Sequence, residues 1–133
     1  MKPDEKAKEL LLDQTYNVAI VGSRSFESFE QFQDMDVFIQ QHIAVDRIDS
    51  VISGGAVGAD TLGAAFADAY KINLVTHLPD WKMYGKRAGM IRNTDIIRGS
   101  DIVFAFWDGK SKGTRHSIKL AKEMGKELHI YAF

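Results

Sequence analysis

The chain has 133 residues, 45% apolar and 26% charged, with no cysteine and a net charge of −1. That length suits one domain with one sizeable core, and the composition excludes collagen-like and broadly disordered chains. The lack of cysteine excludes disulfide scaffolds, iron–sulfur centres and thiol nucleophiles. No apolar run approaches the roughly 20 residues that span a bilayer. The polar start Met-Lys-Pro-Asp-Glu-Lys lacks the order of a signal peptide, so a cytoplasmic protein without membrane contact is expected. The net charge hides a division: residues 1–81 carry 6 Lys and Arg against 13 Asp and Glu, net −7, whereas residues 82–126 carry 11 against 4, net +7. A basic half in a near-neutral chain points to an anionic partner on one face.

In chain order, residues 1–16 read as a helical extension, with an amphipathic helix over 4–14 around Leu10, Leu11 and Leu12. Residues 17–133 read as a single domain. Asn17–Val21 is a short apolar run that predicts a buried strand. Phe32, Met35, Ile39 and Ile43 recur at helical steps. A second strand spans 48–52, and Leu62, Phe66, Ala69 and Tyr70 mark the next helix. A third strand is predicted over 72–77, a loop over 79–85 and a helix over 86–98. Residues 101–107 form a strand buried on both faces. A helix from Gly113 to about Met124 follows, with Gly125 placed to cap it. Residues 128–131 close the series. This alternation predicts an α/β fold: a Rossmann-like, doubly wound, mostly parallel five-stranded sheet with helices on both faces. Ligands of such sheets bind beyond the carboxyl ends of the strands, at the topological switch point.

Three Gly/Ser-rich loops follow strands one, two and four: Gly22-Ser23-Arg24-Ser25; Ser53-Gly54-Gly55-Ala56-Val57-Gly58-Ala59-Asp60; and Trp107-Asp108-Gly109-Lys110-Ser111-Lys112-Gly113-Thr114-Arg115. Glycine lets backbone approach an anion, and a helix N-terminus offers free N–H groups at a positive dipole end. The candidate ligand contacts are therefore Gly22, Ser23, Arg24, Ser53, Gly54, Gly55, Gly58, Asp60, Trp107, Lys110, Ser111, Gly113, Thr114 and Arg115. Trp81 and Tyr84 are candidates to stack on a base, and Arg87, Arg92 and Asn93 to meet the same ligand. Arg92 is expected either to meet phosphate or to pair with Asp95 on the helix surface. Gly109-Lys110-Ser111 is no P-loop, because Phe104 stands where that motif needs glycine, and the dinucleotide fingerprint is absent after strand one. The four histidines lack metal-ligand spacing, so no metal and no cofactor are expected. His116 is a candidate ligand contact, whereas His42 and His129 are structural or solvent-facing. Asp60 and Asp108 are the only loop carboxylates to nominate for catalysis.

Together these loops, with Pro79-Asp80-Trp81 through Gly89-Met90-Ile91-Arg92-Asn93, resemble the SLOG superfamily and in particular its YspA/cpYpsA-related branch, over residues 17–131. The resemblance implies a pocket made by the first, second and fourth βα loops. The superfamily includes LOG phosphoribohydrolases, the single-strand-DNA-binding protein DprA and sensors of nucleotide-derived signals. The LOG loop carries Gly-Gly before Gly-Thr and a Glu three residues after it. Here Gly113-Thr114 stands alone, with Ser117 in the Glu position. The leading expectation is binding of a nucleotide or nucleotide-derived small molecule. The alternatives are a nucleotide-related hydrolase and DprA-like single-stranded nucleic-acid binding. A homo-oligomer is expected, both from the resemblance and from the surplus apolar faces.

Overall fold

A computed structural model describes residues 14–133, together with Glu5 and Ala7. The helix predicted around Leu10, Leu11 and Leu12 lies outside the described residues. The elements run β1 (Tyr16–Gly22), α1 (Phe29–Gln40), β2 (Ile48–Ser53), α2 (Ala59–Ala69), β3 (Asn73–Thr76), α3 (Trp81–Tyr84), α4 (Ala88–Arg98), β4 (Ile102–Trp107), α5 (Lys112–Glu123) and β5 (Glu127–Ala132). The strands lie in the order β3-β2-β1-β4-β5, and every ladder is parallel. This is the expected Rossmann-like α/β sheet, parallel throughout.

Alternation along the central strands sorts the core. Val18 and Ile20 of β1, with Phe104 and Phe106 of β4, point to one face and meet Met35, Ile39 and Phe66 of α1 and α2. Ala19 and Val21, with Val103 and Ala105, point to the other and meet Ile96, Ile97, Ile118 and Ala121 of α4 and α5. A capping box starts α1: Gln31 N donates to Ser28 Oγ at 3.0 Å, and Ser28 N donates back to Gln31 Oε1 at 3.0 Å. No helix among the described residues is long and apolar enough to cross a membrane.

The chain winds from β1 to β3 on one side and from β4 to β5 on the other, so the switch point lies between the carboxyl ends of β1 and β4. Three boundaries differ from expectation. β3 is an edge strand of four residues, all exposed, because only β2 pairs with it. Part of the predicted 79–85 loop is helical: Asp80 accepts a hydrogen bond from Met83 N at 3.0 Å and caps α3. Gly85, at φ +57°, then breaks that helix, and a 3-10 turn over Gly85–Arg87 redirects the chain. As a result α4 starts at Ala88, not at Lys86.

Candidate functional site

At the switch point a cleft of about 460 Å³ opens over the β1 and β4 ends. Its floor is the first loop, with Gly22, Ser23, Arg24 and Ser25. One wall is α4 with Arg92, Asn93 and Ile96, and the opposite wall is the start of α5 with Ser111, Lys112, Gly113, Thr114 and Ser117. Val21, Ala56, Asp60 and Asp108 complete it.

Asp108 holds the fourth loop in shape. Its Oδ1 accepts hydrogen bonds from Lys110 N, Ser111 N and Ser111 Oγ, each at 2.8 Å. Ser111 Oγ also lies 2.6 Å from Ser23 Oγ. With the Ser111 proton given to the carboxylate, Ser23 must donate its own to Ser111, while Ser23 Oγ accepts from Asp108 N at 3.1 Å. These donors, the Ser111 and Lys110 N–H groups foremost, lower the Asp108 pKa from 3.8 to about 2. A carboxylate this acidic is ionised near neutral pH, so Asp108 is no general acid there, and its Oδ1 is committed to the loop. The same shift fixes a sign. A depressed folded pKa stabilises above the unfolded value of 3.8, and that stabilisation fades as pH falls toward about 2. Melting curves should therefore show Asp108→Ala below wild type by an amount that is full above pH 4 and narrows between about pH 4 and 2.

The commitment of Ser111 has a second result. Its hydroxyl is not free to cap α5, and α5 has no side-chain cap. The N–H groups of the first turn therefore face the cleft with the positive end of the helix dipole. Gly113 adds no Cβ there, and a Cβ placed on it would meet nothing within 4 Å. Thr114 and Ser117, one turn apart, are both more than nine-tenths buried. Both line the cleft, and neither hydroxyl has a hydrogen-bond partner among the described residues.

The glycines of the first two loops admit the close approach of protein. A Cβ at Gly22 would strike Phe106 O and Ala59 Cβ, and one at Gly58 (φ +87°) would strike the Arg24 backbone. Gly54 lies under the Arg92 guanidinium, with Nη1 2.7 Å from where a Cβ would stand. These residues let the first two loops and α4 pack together, and Ala59 N donates to Ser23 O at 3.2 Å across the seam. Ser53, buried at the end of β2 with its Oγ unpartnered, and Gly55 (φ +71°) likewise shape the loop and do not line the cleft.

Arg92 lines the cleft and does not pair with Asp95. Its Nη1 donates to Gly54 O at 2.7 Å and its Nε to Asn93 Oδ1 at 2.9 Å. Asp95 pairs instead with Arg98, at 3.6 Å. Asp60 is buried beside Arg92 and accepts from Ala56 N at 3.0 Å. Burial pushes its pKa up, and the Ala56 N–H, Arg92 and the Gly54 N–H pull it back. Asn93 Nδ2 lies 3.4 Å from His116 Nδ1. The amide is the donor, so His116 accepts with its neutral ring, and burial lowers its pKa in keeping with that. His116 thus orients Asn93 and does not line the cleft.

Lys110, Arg115 and Trp107 also fall outside the lining. Trp107 Nε1 donates to Ser111 O at 3.2 Å, and Arg115 lies over the indole at 5.7 Å. Trp81 and Arg87 are exposed beyond the cleft. His42 and His129 stack at 3.7 Å far from it, at the amino end of the sheet. Sequence reasoning did not nominate Val21, Ser25, Ala56, Ile96, Lys112 or Ser117. Ser117 was within reach, because a helix that presents Gly113 and Thr114 presents position 117 on the same face.

No family model matches the chain. The chain is 37% identical over 81 residues to the Gene 61 protein of Mycobacterium phage D29, a match covering 56% of this chain and 65% of that protein. Two solved structures share its fold. DNA processing protein A of Helicobacter pylori, in a structure described for its single-stranded DNA binding mode, has a TM-score of 0.66 at 21% identity, covering 91% of this chain and 67% of that one. DprA of Streptococcus pneumoniae has a TM-score of 0.68 at 20% identity, covering 92% of this chain and 51% of that one. The chain thus has the Rossmann-like fold of DprA. It spans about two-thirds of the phage protein and half of the streptococcal one.

Proposed function

We propose that this chain is a SLOG-like, DprA-like module whose cleft binds the phosphodiester backbone of single-stranded nucleic acid. The observation that carries this reading is the uncapped start of α5, open to the cleft at Gly113. Two unpartnered hydroxyls, Thr114 and Ser117, stand beside it. A phosphate there accepts hydrogen bonds from backbone N–H groups and hydroxyls that no protein acceptor uses. Arg24 and Lys112, exposed on the rim and outside any ion pair among the described residues, neutralise its charge. The excess of Lys and Arg over residues 82–126 extends the positive surface beyond one phosphate. The shared fold with a protein described as binding single-stranded DNA supports the strand over the free nucleotide.

Fluorescence anisotropy with a labelled oligothymidylate of about 20 nucleotides tests this. Neutralising three or four phosphates on a single strand gives a slope of log K against log salt of about −2 to −3. Absence of binding at low salt overturns the reading. A nucleotide-derived ligand is the second reading, favoured by a cleft volume within the range of small-molecule pockets. Saturable binding of a mononucleotide that excludes the oligonucleotide would select it.

A further inference from the structure

Trp81 lies outside the cleft, yet it continues one of its walls. Gly89, Arg92, Asn93 and Ile96 fall three, four and seven residues apart on α4 and share one face. The last three line the cleft. Gly89 extends that face by one turn, and Trp81 sits there: a Cβ on Gly89 would lie 3.6 Å from Trp81 Cη2. From Gly89 to Asn93 is about 6 Å along the helix axis, a span that about two stacked nucleotides cover.

Trp81 nevertheless remains 58% exposed, and Tyr84, one turn on along α3, is 45% exposed. Lys82, Lys86 and Arg87 surround them, all exposed and none in an ion pair among the described residues. Asp80, the one acid between residues 79 and 94, is occupied in capping α3 through its contact with Met83 N. Open aromatic faces set among unpaired cations, joined to an anion-binding cleft, suit one kind of occupant. An acidic protein would satisfy the cations but offers no regular series of flat faces to the rings. A nucleic-acid strand with free bases satisfies both.

We propose that Trp81 and Tyr84 are a stacking platform for bases of a single strand whose backbone runs through the cleft, with Lys82, Lys86 and Arg87 following the adjacent phosphates. This rests on the nucleic-acid reading above and adds to it the basis of single-strand selectivity. A duplex keeps its bases stacked on each other and has no free face to offer, whereas any unpaired base does.

The test compares an oligothymidylate, an abasic strand of equal length and a duplex, by anisotropy and by tryptophan emission. Wild type is expected to bind the oligothymidylate about five- to a hundredfold tighter than the abasic strand, with quenching of tryptophan emission. Trp81→Ala should lose most of that preference and of the quenching, and bind single strand and duplex more nearly alike. Trp81→Phe should restore the preference. Gly113→Asp should instead weaken oligothymidylate and abasic strand together. If Trp81→Ala discriminates the three probes as wild type does, the platform is overturned and the cleft reading stands. If wild type binds neither strand at low salt, both fall.

Discussion

Gly113→Asp is expected to abolish anion binding while leaving the protein as stable as wild type or more so. The position is in the first turn of α5, where an added Cβ meets nothing, and its φ requires no glycine. A carboxylate near an uncapped helix start gains about 0.3–1 kcal/mol from the dipole. Removing glycine from a helix adds up to a similar amount. The same carboxylate takes the N–H groups that a phosphate would use and repels it. Losing two charge-assisted hydrogen bonds, at about 1.5–3 kcal/mol each, amounts to a hundredfold or greater loss of affinity. Gly113→Asn adds similar bulk without charge and should retain most of the binding. Anisotropy and thermal melts on the two variants separate charge from shape. Equal affinity for wild type and Gly113→Asp would place the anion elsewhere.

Arg92→Ala is expected to cost stability first and binding second. The guanidinium is the tie between the Ser53–Asp60 loop and α4, through Gly54 O and Asn93. Its loss leaves a buried carbonyl without its donor and the buried Asp60 carboxylate without its nearest positive charge. Each is a desolvation penalty, and together they amount to about 2–4 kcal/mol, or roughly a 10 °C fall in melting temperature. The sign of the pH dependence follows from Asp60. Burial already raises its folded pKa, so its ionisation costs stability as pH rises above the ordinary carboxylate range. Without Arg92 that cost grows. The gap between wild type and Arg92→Ala should be smaller at pH 4, where the Gly54 carbonyl accounts for most of it, and widen toward pH 7. Urea unfolding at both values measures it, and a gap independent of pH would remove Asp60 from the account. Arg92→Lys should recover the charge and only part of the geometry.

Much of this was legible in the residues. Short apolar runs alternating with helical stripes report which side chains seek burial, and local spacing carries that information. The order of the five strands in the chain, the parallel sheet and the three loops at one edge followed from it. The loop over 79–85 misled because Asp80 serves as a cap, a role settled by one hydrogen bond to Met83 N.

The roles within the site were not legible, for a physical reason. A glycine in a βα loop admits close approach, but the sequence does not say of what. At Gly22, Gly54 and Gly58 the approaching group is protein, and at Gly113 it is open cleft. Ser111 looks like a helix cap, yet Asp108 and Ser23, the latter 88 residues away in sequence, claim its hydroxyl. Arg92 looks like a residue free for a ligand, yet Gly54 O, 38 residues away, takes one of its donors. What the sequence determined by itself is what depends on neighbours along the chain: periodicity, the succession of elements and the division of charge. The tertiary structure decided which hydrogen-bonding groups are spent on one another and which are left over for a ligand, because that balance is struck between residues that meet only when the sheet is assembled.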